Sequence, residues 1–163
     1  MDVVRQLELP CGQCTRCRIE RTRQWAMRCL HEAKCHEHNA FLTLTYDEDH
    51  VPADLSLRYV DFQMFMRRLR KRLKKAGQRV RFFMCGEYGE KYGRPHFHAC
   101  LFGVHFPDMV EIETLQRRDH PIFRSPMLEE LWTFGHSSIG DVTFESASYV
   151  ASYIIDKNCL LYT

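Results

Sequence analysis

Apolar and polar residues alternate between Phe41 and Tyr46, where the chain reads Phe-Leu-Thr-Leu-Thr-Tyr. This period of two residues predicts a β-strand with Leu42 and Leu44 on one face and Thr43 and Thr45 on the other. We expect the leucines to face the core. The threonine hydroxyls could contact a nucleic-acid backbone, or the threonines could be present only because they suit β-structure.

A second run of strand-forming residues predicts a β-hairpin further along the chain. Residues 79–85 are rich in Val and Phe, and Pro95 opens the following strand. On that second strand His96, His98 and Cys100 share one face, because successive side chains point to opposite sides. The turn between the strands is marked by Gly86, Gly89 and Gly93.

Steps of three and four residues between apolar positions predict the helices. A first helix is expected over residues 18–36, and a long one runs from about Leu57 to Ala76, with Ser56 as its N-cap and Gly77 as its stop. A strand is expected over residues 139–144 and a last helix over residues 146–157. A short helix follows Ser125 and Pro126, and the apolar stripe of the long helix comprises Phe62, Phe65, Met66, Leu69 and Leu73.

Length and composition bound the kind of protein. At 163 residues and 45% hydrophobic composition, we expect one domain over residues 1–163, with residues 1–40 as a Cys-rich segment and a helix packed on it. The sequence has neither an apolar run of membrane-spanning length nor the apolar core of a signal peptide, so we expect a soluble protein made in the cytosol. Its eight cysteines are unevenly spaced among histidines, which favours reduced thiols or a metal site over disulfides.

Charge is distributed unevenly along the chain. Residues 1–86 carry 17 Lys and Arg against 10 Asp and Glu, whereas residues 87–163 carry 6 against 11. A basic half beside an acidic half fits a polyanionic substrate held near a cation site, although such asymmetry also arises by chance. The cations of the long helix either bind DNA phosphates or form a solvated face; they are Arg67, Arg68, Arg70, Lys71, Arg72, Lys74 and Lys75.

Two groups of residues have the spacing of metal ligands. Cys11, Cys14 and Cys17 could converge on a structural zinc ion, with reduced cysteines in a turn as the alternative. A fourth ligand would come from Cys29, His31, Cys35, His36 or His38.

The second group is the His-x-His pair of the hairpin. His96 and His98 lie on one strand face, and Glu87 ends the preceding strand. Two imidazoles and one carboxylate with open positions suit a divalent cation that also holds a substrate. An isolated His-x-His is more often a pair of half-buried, hydrogen-bonded side chains.

Two tyrosines four residues apart mark the last predicted helix. Tyr149 and Tyr153 project from the same helix face, whereas Val150, Ile154 and Ile155 supply a separate apolar side. The alternative is an aromatic pair packed in the core. A phenol with its ordinary pKa near 10 is a poor nucleophile, so a nearby cation or base would have to assist it.

In ordered combination, these motifs resemble the replication initiators of gokushovirus-type microviruses, which are small single-stranded DNA phages within the His-hydrophobic-His rolling-circle endonucleases. The resemblance extends over nearly the whole chain. It rests on residues 10–14, 41–46, 85–89, 94–99, 140–145 and 149–153.

The resemblance implies an α+β fold with a central antiparallel sheet of about five strands and flanking helices. It also implies an enzyme that nicks and rejoins single-stranded DNA at the replication origin, in the cytoplasm of the bacterial host, through a 5′-phosphotyrosine intermediate. Tyr149 and Tyr153 would be the nucleophiles, and Glu87, His96 and His98 would hold one Mg²⁺ or Mn²⁺. Host helicase and polymerase would be further partners, and substrate contacts are expected at Thr43, Thr45, Arg94 and Lys157.

Two positions depart from the pattern of this family. Ser152 and Asp156 stand where the family usually has basic residues, and Lys157 is the neighbouring cation that could replace them. Three other classes of protein remain as alternatives. They are a non-catalytic zinc-stabilised nucleic-acid-binding module, a His-x-His oxygenase of the double-stranded barrel kind, and a two-tyrosine transposase or plasmid initiator. The barrel requires more short strands than this sequence predicts.

Overall fold

A computed structural model describes residues 9–89, 92–112 and 120–156 of the chain. These residues form one six-stranded sheet of order β2-β3-β1-β6-β5-β4, and each neighbouring pair of strands is antiparallel. The predicted α+β fold with a central antiparallel sheet is confirmed, with six strands in place of about five. The elements are α1 (Thr15–Lys34), β1 (Asn39–Tyr46), α2 (Tyr59–Lys74), β2 (Arg81–Tyr88), β3 (Pro95–Phe102), β4 (Val110–Glu111), β5 (Phe123–Arg124), α3 (Pro126–Leu131), β6 (Gly135–Gly140) and α4 (Phe144–Asp156).

One face of the sheet is covered by α2 and α3. Leu42 and Leu44 of β1 and Phe97 of β3 are buried on this face, as the alternation predicts. Each buried leucine contributes about 2 kcal/mol of hydrophobic stabilisation. The predicted apolar stripe of α2 packs against the same face, and all five of its residues are buried: Phe62, Phe65, Met66, Leu69 and Leu73.

The opposite face, which we call the site face, carries α1 and α4. Ala147 and Ala151 are fully buried there, and small side chains let α4 approach the sheet closely. Trp25 of α1 stacks on Phe83 of β2 with ring centroids 5.2 Å apart. The buried residues of α1 are Ala26 and Cys29, so the outer half of this helix is largely exposed.

Two predicted element boundaries are wrong. Ser56 does not cap α2, which begins at Tyr59; the backbone N–H of Ser56 instead donates to the carboxylate of Asp54. The last strand spans Gly135–Gly140 rather than residues 139–144. It ends early because Thr143 begins α4, where its hydroxyl accepts a hydrogen bond from the backbone N–H of Ser146.

Two predicted helix ends are confirmed. Gly77 follows α2 with a φ of 70°, and the left-handed conformation favours glycine at this position. Ser125 caps α3, because its hydroxyl accepts from the backbone N–H of Leu128 at 3.1 Å and Pro126 occupies the first helical position. Within the described residues, no helix combines the length and the apolar character needed to cross a membrane.

Candidate metal centre and tyrosine pair

The register of the β2–β3 hairpin brings one carboxylate and two imidazoles together. Glu87 lies opposite His96, and Cys85 lies opposite His98, so all three candidate ligands emerge on the site face. Oε2 of Glu87 is 3.5 Å from Nε2 of His96 and 3.3 Å from Nε2 of His98. One potential ligand atom from each residue lies within 4.8 Å of the others, as a single metal ion requires.

The second nitrogen of each imidazole is held by a neighbouring group. Nδ1 of His96 is 3.0 Å from the backbone oxygen of Arg94. Nδ1 of His98 is 3.1 Å from the hydroxyl of Thr43 on β1. These contacts direct both Nε2 atoms towards Glu87, and an outer shell of this kind orients histidines that bind metals.

Burial sets the charges of this cluster. Glu87 is 5% exposed and His98 is 8% exposed. Burial lowers the pKa of His98 to about 4, so its ring is neutral at physiological pH. Burial would raise the pKa of Glu87, but hydrogen bonds from Tyr153 and Tyr149 and the nearby imidazoles bring it below its usual value.

An ionised carboxylate beside neutral imidazoles is a donor set for a divalent cation. Moreover, the buried Nε2 atom of His98 has no hydrogen-bond partner in this structure. A buried ring nitrogen without a partner is costly to fold. The residues present therefore fit a bound metal ion.

The two tyrosines of α4 lie directly beside this cluster. The hydroxyl of Tyr149 donates a hydrogen bond of 2.7 Å to Oε2 of Glu87. Its ring is 5.0 Å from the ring of His98, and the ring of Tyr153 is 5.0 Å from that of Tyr149. Burial and the hydrogen bonds with Tyr153 and Glu87 raise the pKa of Tyr149, so its phenol is protonated at neutral pH.

Packing of α4 explains why the tyrosines face the cluster. Val150 and Ile154 are buried against α1 and the sheet, together with the alanines of the same helix. Tyr149 is one residue before Val150, so it lies on the flank of the buried stripe and is 40% exposed. Its ring thus contacts His98 while remaining accessible to solvent. At Ser152, a departure from the family pattern, the hydroxyl donates to the backbone oxygen of Tyr149 at 2.8 Å.

The structure distributes the predicted substrate contacts unevenly. Thr43 and Thr45 lie on the site face, where Thr45 pairs with His96 across the sheet. Arg94 is held by the loop after β1, donating to the backbone oxygen of Tyr46 at 3.2 Å and to the carboxylate of Glu48. Lys157 lies outside the described residues.

The basic side chains of α2 are remote from the cluster, since α2 covers the opposite face of the sheet. Two of them are engaged there. Arg68 donates to the backbone oxygen of Leu131, and Arg72 donates to Glu130. This arrangement favours the interpretation of these cations as a helix surface on the far side of the sheet.

Sequence reasoning missed two contacts of His98. Phe41 stacks on the His98 ring with centroids 5.6 Å apart and planes 4° apart. The hydroxyl of Thr43 bonds to the same ring. Both residues lie far from the histidine in the sequence, so only the pairing of β1 with β3 reveals them. Their shared strand face with Thr45 was the one signal available in the sequence.

The three N-terminal cysteines also come together. One sulfur from each of Cys11, Cys14 and Cys17 lies within 4.8 Å of the others at the start of α1. Among the described residues, this group gains no fourth ligand. Cys35, for example, lies beyond the far end of a helix of 20 residues, about 30 Å away. Hence none of the expected fourth ligands joins the group; they are Cys29, His31, Cys35, His36 and His38.

An antiparallel sheet with a histidine–carboxylate cluster beneath a tyrosine helix defines a class of α+β protein built around a candidate metal centre. The chain belongs to the replication-associated protein family of the ORF2 type, whose model matches residues 39–158. The predicted resemblance to phage replication initiators is therefore confirmed at the level of the family.

Individual relatives agree with this membership. The chain is 37% identical over 153 residues to the replication-associated protein VP4 of Bdellovibrio phage phiMH2K, covering 91% of this chain and 48% of that protein. It is 36% identical over 153 residues to the replication-associated protein ORF4 of Chlamydia phage 1, covering 91% and 38%. It is 30% identical over 155 residues to the replication-associated protein ORF2 of Spiroplasma virus 4, covering 91% and 48%.

The chain thus spans about half the length, or less, of these curated relatives. No solved structure gives a significant match to it.

Proposed function

We propose that this chain nicks and rejoins single-stranded DNA at a replication origin, and so initiates rolling-circle replication in the cytoplasm of a bacterial host. The observation that carries the proposal is the 2.7 Å hydrogen bond between the Tyr149 hydroxyl and Glu87, beside the paired imidazoles. It brings a potential nucleophile to a potential metal centre. Membership of a replication-associated family supports this initiator over a two-tyrosine transposase.

The cation would be held by Oε2 of Glu87 and by Nε2 of His96 and His98. When bound, Mg²⁺ or Mn²⁺ supplies a Lewis acid that polarises the oxygens of the scissile phosphate. Imidazole-rich sites also accept zinc or nickel, so affinity alone does not identify the working metal. The phosphate substrate has hard oxygen ligands, which favours Mg²⁺ or Mn²⁺.

The residues of the chain supply the nucleophile and its orientation. The phenolic oxygen of Tyr149 attacks the phosphorus, a tyrosine–phosphate bond forms, and the bond from phosphorus to the 3′ oxygen breaks. The phenolic proton, held at Glu87 in the structure, ends on the 3′ oxygen, which becomes a free hydroxyl for primer extension. Because a phosphodiester is exchanged for a phosphotyrosine, a later 3′ hydroxyl can reverse the step without ATP.

A second nucleophile lies within reach of the first. The ring of Tyr153 is 5.0 Å from that of Tyr149, and a hydrogen bond from Tyr153 contributes to the low pKa of Glu87. One tyrosine can therefore hold the first 5′ end while the other cuts the newly made origin. Either phenol can begin the cycle under this proposal.

Cleavage of origin-containing single-stranded oligonucleotides tests the proposal. The variant His96→Ala/His98→Ala should lose cleavage in Mg²⁺ or Mn²⁺ while keeping the wild-type circular dichroism spectrum. A matched control is His38→Ala/His105→Ala, because those two exposed rings are stacked 4.6 Å apart away from the cluster. Unchanged cleavage by a folded His96→Ala/His98→Ala variant would contradict the proposal.

A further inference from the structure

The turn before α1 holds three thiols at a separation suited to a metal ion. Sγ of Cys11 lies 3.9 Å from Sγ of Cys17, and the sulfur of Cys14 completes a group within 4.8 Å. Zinc–thiolate bonds of about 2.3 Å place sulfurs roughly 3.8 Å apart around a tetrahedral ion. A disulfide would need about 2.05 Å. The observed spacing therefore fits metal ligation and not a crosslink.

Local backbone geometry builds this arrangement. Gly12 adopts a φ of 76°, which turns the chain back so that Cys11 faces the helix. The backbone N–H of Cys14 then donates to the sulfur of Cys11 at 3.3 Å. The side chain of Arg18 donates to the backbone oxygen of Gln13 and holds the same turn against the helix.

Helix electrostatics favour negative sulfur at this place. Cys14 is the N-cap of α1 and supplies no side-chain hydrogen bond, and the first turn of the helix has no acidic residue. The partial positive charge of a helix N-terminus stabilises thiolates. Arg16 and Arg21 line the adjacent groove with Cys17, so the surroundings offset the excess negative charge of three thiolates on a divalent ion.

The rest of α1 shows what a metal ion would stabilise. The buried residues of this helix are Ala26 and Cys29, both in its second half. Its first half, over residues 15–24, is largely exposed and has little apolar packing to hold it. A metal ion that joins residues 11, 14 and 17 would anchor this half to the preceding turn.

We propose that Cys11, Cys14 and Cys17 form a three-thiolate site for Zn²⁺ that anchors the N-terminal turn to α1. One coordination position is left for water or a ligand from outside the described residues. The site is separate from the cluster of Glu87, His96 and His98, and its soft sulfur ligands select a different class of metal. Its test is therefore independent of DNA cleavage.

Cobalt substitution tests the site in the full chain. Addition of Co²⁺ to metal-free protein should give an intense thiolate-to-cobalt charge-transfer band that saturates at one equivalent and disappears when Zn²⁺ is added. His96→Ala/His98→Ala should retain this band, whereas Cys14→Ser should weaken cobalt binding more than about tenfold. Cys35→Ser is the matched control, because Cys35 is an exposed thiol outside the cluster.

Alkylation of the wild-type protein gives a second readout that does not depend on variants folding. Zn²⁺ should slow alkylation of Cys11, Cys14 and Cys17 and leave Cys35 unchanged, as mapped by mass spectrometry. The proposal is overturned if zinc protects none of the three, if Cys14→Ser binds cobalt as tightly as wild type, or if the purified protein carries iron with acid-labile sulfide in place of zinc.

Discussion

The hydroxyl of Thr43 lies 3.1 Å from Nδ1 of His98, while the other nitrogen of that ring faces Glu87. The contact joins β1 to β3 and fixes the direction in which the imidazole points. A hydrogen bond at Nδ1 leaves Nε2 free to bind a metal ion. Thr43 is thus a positioning residue for the candidate metal centre, in addition to any contact it makes with DNA.

Replacing Thr43 by valine should weaken Mn²⁺ binding about 10- to 100-fold, because the His98 ring loses the partner that orients it. Valine has nearly the same shape and also suits a strand, so the fold should persist. Thr43→Ser keeps the hydroxyl and should bind Mn²⁺ nearly as wild type does. Isothermal titration calorimetry measures both. Equal affinity of the valine variant and wild type would show that Thr43 does not orient the ring.

Metal binding should stabilise the folded chain through the same three ligands. Mn²⁺ at one hundred times its dissociation constant should raise the free energy of unfolding by about 2.7 kcal/mol, because a ligand specific for the native state stabilises it by mass action. In Glu87→Gln the gain at the same metal concentration should largely vanish, because the anionic ligand is lost. Urea denaturation with and without Mn²⁺ measures the difference. An undiminished gain in the variant would remove Glu87 from the ligand set.

Gly135 is the position in β6 where a side chain has no room. It has a φ of 143°, and an added Cβ would lie 2.6 Å from the backbone oxygen of Thr45 and overlap the backbone nitrogen of Asp47. Gly135→Ala should therefore cost more than about 2 kcal/mol of stability. Gly140→Ala in the same strand is the control, since its nearest neighbour is a carbon of Phe41 at 3.9 Å. Thermal unfolding should separate the two variants clearly, and similar melting temperatures would refute the steric argument.

The carboxylate of Asp108 ties the segment after β3 to α3. Its oxygens accept from the hydroxyl of Ser125 at 2.5 Å and from the backbone N–H of Met127 at 2.7 Å. Burial alone would raise the pKa of Asp108, but these hydrogen bonds bring it below its usual value. Asp108→Asn should cost about 1–2 kcal/mol at neutral pH, since a charge-assisted acceptor is lost.

The pH dependence of this difference follows from the direction of the shift. A carboxyl with a lowered native pKa contributes stability above its unfolded pKa, about 3.9, and loses that contribution as pH falls through the native value. The stability gap between wild type and Asp108→Asn should thus close in acid. Asp49→Asn, an exposed site in the loop after β1, should show little gap at any pH. A gap for Asp108→Asn that persists at acid pH would contradict this assignment.

The elements that position the site could be predicted where a local pattern exists. Alternation located β1 and the faces of His96 and His98, and helical spacing located the stripe of α2. The paired strands β4 and β5 escaped prediction because each has two residues, too few to show a period. The cap of α2 was misplaced because the serine backbone is used by Asp54 instead.

Contacts within the site depend on strand pairing, and a single sequence does not encode that directly. Thr43 and His98 are 55 positions apart, and the register of β1 against β3 alone brings them together. The placement of Tyr149 on Glu87 likewise depends on how α4 packs across the sheet. Motif spacing predicted which residue types would take part, and tertiary packing determined which atoms meet.

The central claim is that a phenol of α4 becomes covalently joined to DNA beside the histidine cluster. Wild-type protein should be incubated with origin-containing single-stranded DNA and Mn²⁺, and the DNA–peptide adduct mapped by mass spectrometry. We predict a phosphotyrosine link at Tyr149 or Tyr153, which is retained by either single phenylalanine variant and abolished in Tyr149→Phe/Tyr153→Phe. Adduct formation at the wild-type rate by the folded double variant, or a link to any other residue, would contradict the account.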